Sequence, residues 1–508
     1  MHEKVISHPE SKELDKPRDH CAVAGIMSFD SHDVAPLVRF ALHAQQNRGE
    51  DGSGIAAYDG YSGTFRVSKG LGFVLEKAFP HGKLEEHEIF GSVAVGHNRY
   101  ATSGKKDEDP DRKRRCLQPY VVSHSRSSLA LAHNGNIPER YLERLRSDLP
   151  PGIPFQSDTD SEIVAWRILF ADGNSWREKI INGLSGVIGA YSFVIATDDG
   201  DLFGVKDPLG IRPLVLARTK SEAVLVSESR GLEYMVGVEE KKEVGAGQLV
   251  HIRRDGEIFV DQIFPQAGTA RCLVEPIYLK HPYSLEGGRQ VRSIRERMGE
   301  ELASEIQFPS DYVIVGIPDS GIEIAEGYAR ALGRTTENLI KKDRYRPGRA
   351  FISDSTDKRD KTLELKFTIS DDVAGKKLVT VDDSVIRGKT TEKLVKSLLE
   401  RGALEVHVLS ASPRFINICD LGVDIATLIE LKALRKNGGR DYDIKSDKEI
   451  AAEIGANSIY FLSLEGLIRA IGGERNEFCT NCLTREHPID ELGKQRHVIY
   501  TTRQLTSI

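Results

Sequence analysis

KKLVTVDDSVIRGKTTEKLVKSLLERG, residues 376–402, is the stretch on which the reading of the fold turns. Residues 378–381 form a short apolar run rich in β-branched side chains, which predicts a buried parallel strand. Asp382 and Asp383 follow it. A Ser/Gly/Thr loop over 384–391 comes next, and the apolar spacing of 392–399 predicts an amphipathic helix. Strand, loop and helix in this order place an anion on a helix N-terminus, where free N–H groups, the hydroxyls of Thr390 and Thr391 and the helix dipole favour phosphate. The acidic pair suits a sugar diol or a hard cation such as Mg²⁺. Neither a Walker loop nor a GxGxxG string is present here. DDS alone reads equally well as an ordinary turn with two solvated carboxylates. The whole string DDSVIRGKTT behind such a strand does not.

The rest of the C-terminal half has the same texture. DYVIVGI (311–317) predicts another buried strand, ending at PDSG (318–321) and followed by a helix over 322–332; residues 405–411 predict the strand after the central helix. Strands alternating with helices imply a doubly wound parallel sheet that binds its ligand at the carboxyl ends of the strands.

Across 508 residues the composition is that of a globular enzyme of more than one domain, with 39% hydrophobic and 29% charged residues. A net charge of −6 argues against nonspecific nucleic-acid binding. No apolar run approaches the ~18 residues of a membrane span. Residues 1–20 lack the apolar core of a secretory signal and carry five acidic residues, unlike a transit peptide, so a cytoplasmic location is expected. Six cysteines in such a chain point to catalysis or metal binding before disulfides.

The N-terminal half begins its apolar patterning at Cys21, in CAVAGIMSF (21–29), a β-type run. An internal strand cysteine is usually an inert buried thiol. As a new N-terminus it would differ, because its own α-amine, with an ordinary pKa near ~8, could take the thiol proton. Four further strings bear on the choice. ALHAQQNRGEDGSGI (41–55) reads as a helix running into a Gly-rich turn, and GHNRYATSG (96–104) follows a strand over 92–95. LALAHNGNI (129–137) reads as a strand ending in an Asn-Gly turn, and SDTDSE (157–162) as a helix cap. Singly, Arg99 could be a surface ion pair, Asn134-Gly135 a hairpin turn and Asp160 a cap. Jointly they offer a nucleophile, a guanidinium for a carboxylate, an amide and N–H pair for an oxyanion, and an acid for an ammonium.

In this order the strings resemble the class II glutamine amidotransferases, whose glutaminase domain is an N-terminal-nucleophile (Ntn) αββα fold; GAYSF (189–193), KDPLGIRP (206–213) and SES (227–229) fit as well. The resemblance implies that Cys21 attacks the glutamine amide, Asn134 and Gly135 form the oxyanion hole, Arg99 holds the α-carboxylate and Asp160 the α-ammonium. It also implies that residues 1–20 are a propeptide cleaved between His20 and Cys21. Ala22 and Glu50 replace the Gly and Gln usual in that family. The DDSVIRGKTT string resembles the PRPP (phosphoribosylpyrophosphate) signature of type I phosphoribosyltransferases. Both together resemble the amidophosphoribosyltransferase family, which implies an α+β glutaminase domain (21–265) and an α/β phosphoribosyltransferase domain with a parallel sheet (266–508).

That family resemblance implies a pentosyltransferase that makes 5-phosphoribosylamine from PRPP and glutamine, the first step of purine synthesis. Asp382, Asp383, Ser384, Arg387, Gly388, Lys389, Thr390 and Thr391 would bind PRPP with Lys341 and Arg349. Ser320, Asp382 and Asp383 would hold Mg²⁺. A homotetramer inhibited by purine nucleotides is implied too. Cys479 and Cys482 form a CxxC, and Cys272 and Cys419 stand in contexts that carry cluster ligands in the iron–sulfur subclass, so all four imply a 4Fe–4S site; four thiolates suit zinc as well. Cys116 matches nothing. In the loop 353–370, Thr362 and Glu364 replace a Gly and a basic residue. A Glu facing pyrophosphate is repulsive, which keeps open a paralogue with altered acceptor or lost PRPP use. A non-catalytic iron–sulfur or nucleotide-sensing protein is the other alternative. Glucosamine-phosphate synthase shares only the glutaminase half.

Overall fold

Two antiparallel sheets pack face to face in the N-terminal half, and one parallel sheet organises the C-terminal half. The computed structural model describes residues 21–100, 109–265, 268–342, 367–425, 427–437 and 441–489. Residues 1–20, Arg349, Thr362 and Glu364 lie outside the described residues.

The first sheet has seven strands, with Ala22–Ser28 at its centre between Glu222–Val226 and Val93–Arg99. Six strands make the second, centred on Leu202–Lys206 and Ala190–Thr197, with Ser127–Asn136 beside the latter. Strand alternation explains why 21–29 is apolar throughout. Val23 and Met27 point between the sheets, against Ala130, Ala132, Val194 and Ala196. Ala24 and Ile26 point outward, under Val38 and Leu42 of the helix Ala35–Ala44. Helices Asp160–Phe170 and Trp176–Leu184 cover the outer face of the second sheet. Helix, sheet, sheet, helix is the αββα arrangement expected.

Three local expectations change. The glycines of 49–54 are not a turn: Gly52–Asp59 is a strand. A Cβ on Gly54 would lie 2.0 Å from the Gln118 carbonyl oxygen, so the glycine serves close packing. His97, Asn98 and Arg99 lie inside the strand Val93–Arg99 rather than after it. Asn134-Gly135 is no hairpin turn; Ser127–Asn136 runs through it, paired with Ala190–Thr197.

In the C-terminal half the parallel sheet runs Tyr312–Gly316, Lys377–Asp382, Glu405–Ser410, Ser458–Phe461. Helix Lys389–Glu400 packs Leu394, Val395 and Leu398 inward and starts three residues before the predicted 392. Its start is set by Gly388, at φ +75°, which only glycine adopts freely. Helix Gly321–Ala331 approaches the next strand so closely that a Cβ on Gly321 would lie 2.4 Å from the Val381 carbonyl oxygen. That approach delivers Ser320 to the end of the Lys377–Asp382 strand. Among the described residues, no helix is long and apolar enough to cross a membrane.

Candidate active sites

Cys21 stands at the entrance to the central strand of the first sheet, buried, with φ +44°. A non-glycine residue in this region stores of order 1–3 kcal/mol of strain. Its thiol donates to the Tyr100 carbonyl over 3.9 Å. Burial pushes the thiol up to about 11, against the pull of Arg99 and Arg212.

Asn134 and Gly135 lie across the inter-sheet space, in the strand Ser127–Asn136. Ser227 joins the two sheets: its Oγ accepts from Val23 N at 2.9 Å and from Asn134 Nδ2 at 3.4 Å. Gly135, at φ +148°, has no room for a side chain, since a Cβ would sit 2.0 Å from the Ala190 carbonyl oxygen. Asp160 begins its helix at the first turn; Thr159 is the N-cap and caps with no side-chain bond, so the predicted capping role is not the one observed. Instead Asp160 Oδ2 accepts from Ile137 N at 2.9 Å, tying the helix to the end of the strand Ser127–Asn136. Burial raises the Asp160 carboxyl, but His133 and the Ile137 N–H outweigh it and hold it below its ordinary value. It is therefore a buried anion. Arg99 is buried at a strand end, donates only to the Lys113 carbonyl at 3.4 Å, and has no carboxylate partner among the described residues.

The second site sits at the carboxyl ends of the parallel strands. Asp382 and Asp383 are both buried. Asp383 N donates to Asp382 Oδ1 at 2.9 Å; Ser384 Oγ donates to Asp383 Oδ1 at 2.6 Å, and Ser320 Oγ donates to Oδ2. Three expected residues thus meet on one carboxylate. Val385 and Ile386 anchor the loop in the core, leaving the polar residues around them to line its mouth. No side chain caps the helix Lys389–Glu400. Thr390 Oγ1 is buried without a hydrogen-bond partner among the described residues. An uncapped first turn beside an unsatisfied hydroxyl is an anion cradle. Arg387 Nη2 and Nε donate to Glu430 Oε2, at 3.0 and 3.3 Å. Lys341 is exposed in the strand Ile340–Lys342, whose neighbouring Lys342 pairs with Asp319 at 2.6 Å.

Cys272 and Cys479 are direct partners in a two-stranded parallel pair. Ile416 N and Asn417 N donate to the Cys482 carbonyl at 2.8 and 3.2 Å, docking the Cys419 segment on the CxxC turn. All four thiols are free. Burial, then mutual repulsion, pushes Cys479 and Cys482 well above the ordinary thiol value, and burial takes Cys272 up to about 12. Val423 N donates to Cys419 Sγ at 3.4 Å, the outer-shell bond a thiolate ligand needs. This donor set fits a cationic thiolate-bound centre. Among the described residues no three His, Cys, Asp or Glu side chains converge on a single ion; a cubane spreads its thiolates over separate irons. Cys116 is a buried free thiol outside this group.

The cysteine segment also reaches the first site. Asn136 Nδ2 donates to the Asp420 carbonyl at 2.8 Å, and a Cβ on Gly422 would lie 3.5 Å from Gly135. Sequence reading gave no role to Ser227, Arg48, Arg212, Glu275 or Asp420. Arg48 and Arg212 stood in the quoted strings, but only the fold brings Glu275 to both, at 2.9 and 3.2 Å.

Comparison with known proteins agrees with this division. A glutamine amidotransferase domain family matches residues 108–233, and a phosphoribosyl transferase domain family matches 291–411. The amidophosphoribosyltransferase of Synechocystis sp. is 36% identical over 487 residues, 94% of this chain and 92% of that one. That of Methanocaldococcus jannaschii is 34% identical, over 92% of this chain and 98% of its own. The solved structure of glutamine PRPP amidotransferase from Bacillus subtilis, complexed with ADP and GMP, superposes with a TM-score of 0.80 at 34% identity, covering 92% of this chain and 97% of that one.

Proposed function

This chain belongs to the amidophosphoribosyltransferase family, and on that premise we propose how its residues divide the reaction. It is a glutamine-dependent PRPP amidotransferase, and it makes 5-phosphoribosylamine in the first step of purine biosynthesis. The paralogue and sensor alternatives are not favoured by relatives of one activity that match nearly the whole chain. The observation that carries the assignment of residues is Ser227 bridging the Val23 N–H, two residues from the buried Cys21, to the Asn134 amide, in the same chain as an Asp383 carboxylate gripped by Ser320 and Ser384.

In the first half-reaction the α-amine of a chain beginning at Cys21 takes the thiol proton. Sulfur attacks the glutamine amide carbon. Asn134 Nδ2 and the Gly135 N–H donate to the oxyanion, and the proton passes to departing ammonia. Water then hydrolyses the glutamyl thioester to glutamate. Arg99 fixes the α-carboxylate and Asp160 the α-ammonium. In the second, ammonia attacks C1 of PRPP and pyrophosphate leaves. Asp382 and Asp383 orient the ribose hydroxyls, while the Gly388–Lys389–Thr390–Thr391 turn holds the 5-phosphate. Mg²⁺, when bound by Ser320, Asp382 and Asp383, would neutralise pyrophosphate charge. The division into 21–265 and 266–508, a homotetramer, and control by purine nucleotides belong to the same proposal; the Bacillus subtilis relative, described in complex with ADP and GMP, supports the last.

Strain at Cys21 supports its release as an N-terminus, since cleavage after His20 removes the φ constraint. The pH dependence of alkylation tests this. In the uncleaved chain a thiol at about 11 is ionised in only about one molecule in 10⁴ at pH 7, so reaction with iodoacetamide should climb about tenfold per pH unit from 7 to 9.5. A chain starting at Cys21 should level off near the α-amine value of ~8. Identical profiles would leave the amine no role.

We assign Cys272, Cys419, Cys479 and Cys482 to a 4Fe–4S cluster. Anaerobically purified protein should carry iron and acid-labile sulfide in equal amounts, and Cys419→Ser should lose both. Zinc without sulfide would replace the cluster with a zinc site. For the phosphate cradle, Thr390→Val removes a hydroxyl that has no partner to lose among the described residues. Stability should stay within about 0.5 kcal/mol, while KM for PRPP rises about 10–100-fold, the worth of one hydrogen bond to a charged group. An unchanged KM would place the phosphate elsewhere.

A further inference from the structure

We propose that Glu275 is a positioning residue for the glutaminase nucleophile, reaching it from the other side of the domain boundary. The proposal rests on the reading of Cys21 given above. Glu275 and Arg48 are separated by 227 residues in sequence, yet Arg48 Nη1 and Nη2 donate to Glu275 Oε2 and Oε1 at 2.9 and 3.0 Å, a two-point fork. Arg48 Nε then donates to the carbonyl of Cys21 at 3.3 Å. Arg212 approaches the same carboxylate at 3.2 Å. Both arginine side chains are wholly inaccessible to solvent.

A bidentate carboxylate fixes the plane of a guanidinium, and with it the direction of the Nε–H. Here that direction is the backbone of the residue carrying the nucleophilic sulfur. Burying three charges costs several kcal/mol per ion before attraction offsets it, and apolar substitutes of the same shape are often as stable. Stability alone is therefore a weak reason for the triad, and orientation of Cys21 is a better one. Sequence and local structure supply each part. Asp207 accepts from Leu209 N and Ile211 N, at 2.9 and 3.0 Å, shaping the turn that sets Arg212 inside. Glu275 opens the short helical turn Glu275–Leu279, directly after the Arg271–Cys272 strand. Arg212 acts electrostatically on both Cys21 and Cys272, so the triad lies between the nucleophile and the four-cysteine site.

The test uses the cluster-loaded, processed enzyme and Glu275→Gln, which keeps the side-chain shape and loses the charge. Three quantities are read: glutamine-dependent synthesis, ammonia-dependent synthesis, and the rate at which a diazoketone glutamine analogue alkylates Cys21. The expected result is a fall of about 10–100-fold in glutamine-dependent kcat and in alkylation, because a displacement of about 1 Å costs that much. KM for glutamine should stay within about twofold, since Arg99 and Asp160 are untouched, and ammonia-dependent synthesis should not change. Arg48→Lys, which keeps the cation and loses the fork, should give the same split and serves if Glu275→Gln does not fold. Equal loss of both activities, or loss of neither, would overturn the proposal. If the unaltered enzyme makes no phosphoribosylamine from ammonia, it is the reading of the PRPP site that fails instead.

Discussion

Replacing Cys21 by Ser should lower glutamine-dependent synthesis by about 10⁴-fold or more while ammonia-dependent synthesis stays within about twofold. The size follows from what the sulfur does. The sulfur would form the acyl intermediate, and loss of a nucleophile costs about as much as loss of the whole catalytic set. A serine hydroxyl, far less acidic than the thiol, would ask the α-amine for a much harder proton transfer. The selectivity follows from the fold. Cys21 belongs to the two-sheet half, whereas Asp382, Asp383 and Thr390 sit at the strand ends of the parallel sheet. Supplied ammonia bypasses the first half-reaction. Measuring pyrophosphate release with glutamine and with ammonium salt decides it. Parallel loss of both activities would mean that Cys21 holds up the structure rather than cleaves glutamine.

What the sequence carried on its face was local. Strand 377–382, its acidic pair and the helix behind it follow from β-branched residues, a glycine and an apolar stripe within one short stretch. The helix start was misplaced because Gly388 caps it by backbone conformation rather than by a side chain, and no side-chain signal marks that. Asn134-Gly135 shows the converse error. Asn-Gly between apolar residues is a strong hairpin signal, yet the pair lies inside a strand. Its glycine is required by the Ala190 carbonyl, 2.0 Å from where a Cβ would stand, and that neighbour is far away in sequence. Glu275 was invisible for the same reason. Nothing in CLVEPIY marks a carboxylate that will close on two arginines from another domain.

The proposed catalytic groups could be named from the sequence because each offers a particular chemistry at the end of a recognisable element. The groups that hold them in place could not. Ser227 bridges Val23 and Asn134, and Asp420 receives Asn136 while being held by Arg140 and His487 at 2.5 and 2.8 Å. Such residues can be any donor or acceptor of the right reach, so their identity says little until the chain is folded. Glu430, which pairs with Arg387 of the loop, is another such residue.

Asp383→Asn should lower PRPP-dependent synthesis, with either nitrogen source, by about 10²–10³-fold, a loss of about 2.7–4 kcal/mol of transition-state stabilisation. The substitution removes the charge that would bind Mg²⁺ or accept from the ribose hydroxyls. It also sets an amide N–H₂ against one of two hydroxyls, Ser320 or Ser384, that now donate to the carboxylate. Glutamine hydrolysis, measured as glutamate release, should persist. Stability distinguishes this from a structural fault. Asp382 and Asp383 are adjacent and buried. Removing one should leave the substrate-free Tm unchanged or raised, as is common where function keeps a site strained. Ligand linkage then runs the other way. PRPP with Mg²⁺ at 100 times its Kd stabilises the unaltered enzyme by about 2.7 kcal/mol, and the variant should gain almost none of that at the same concentration. A variant that melts early without ligand would make the acidic pair a structural feature. One that melts normally and no longer answers to PRPP would make it the sugar-binding site.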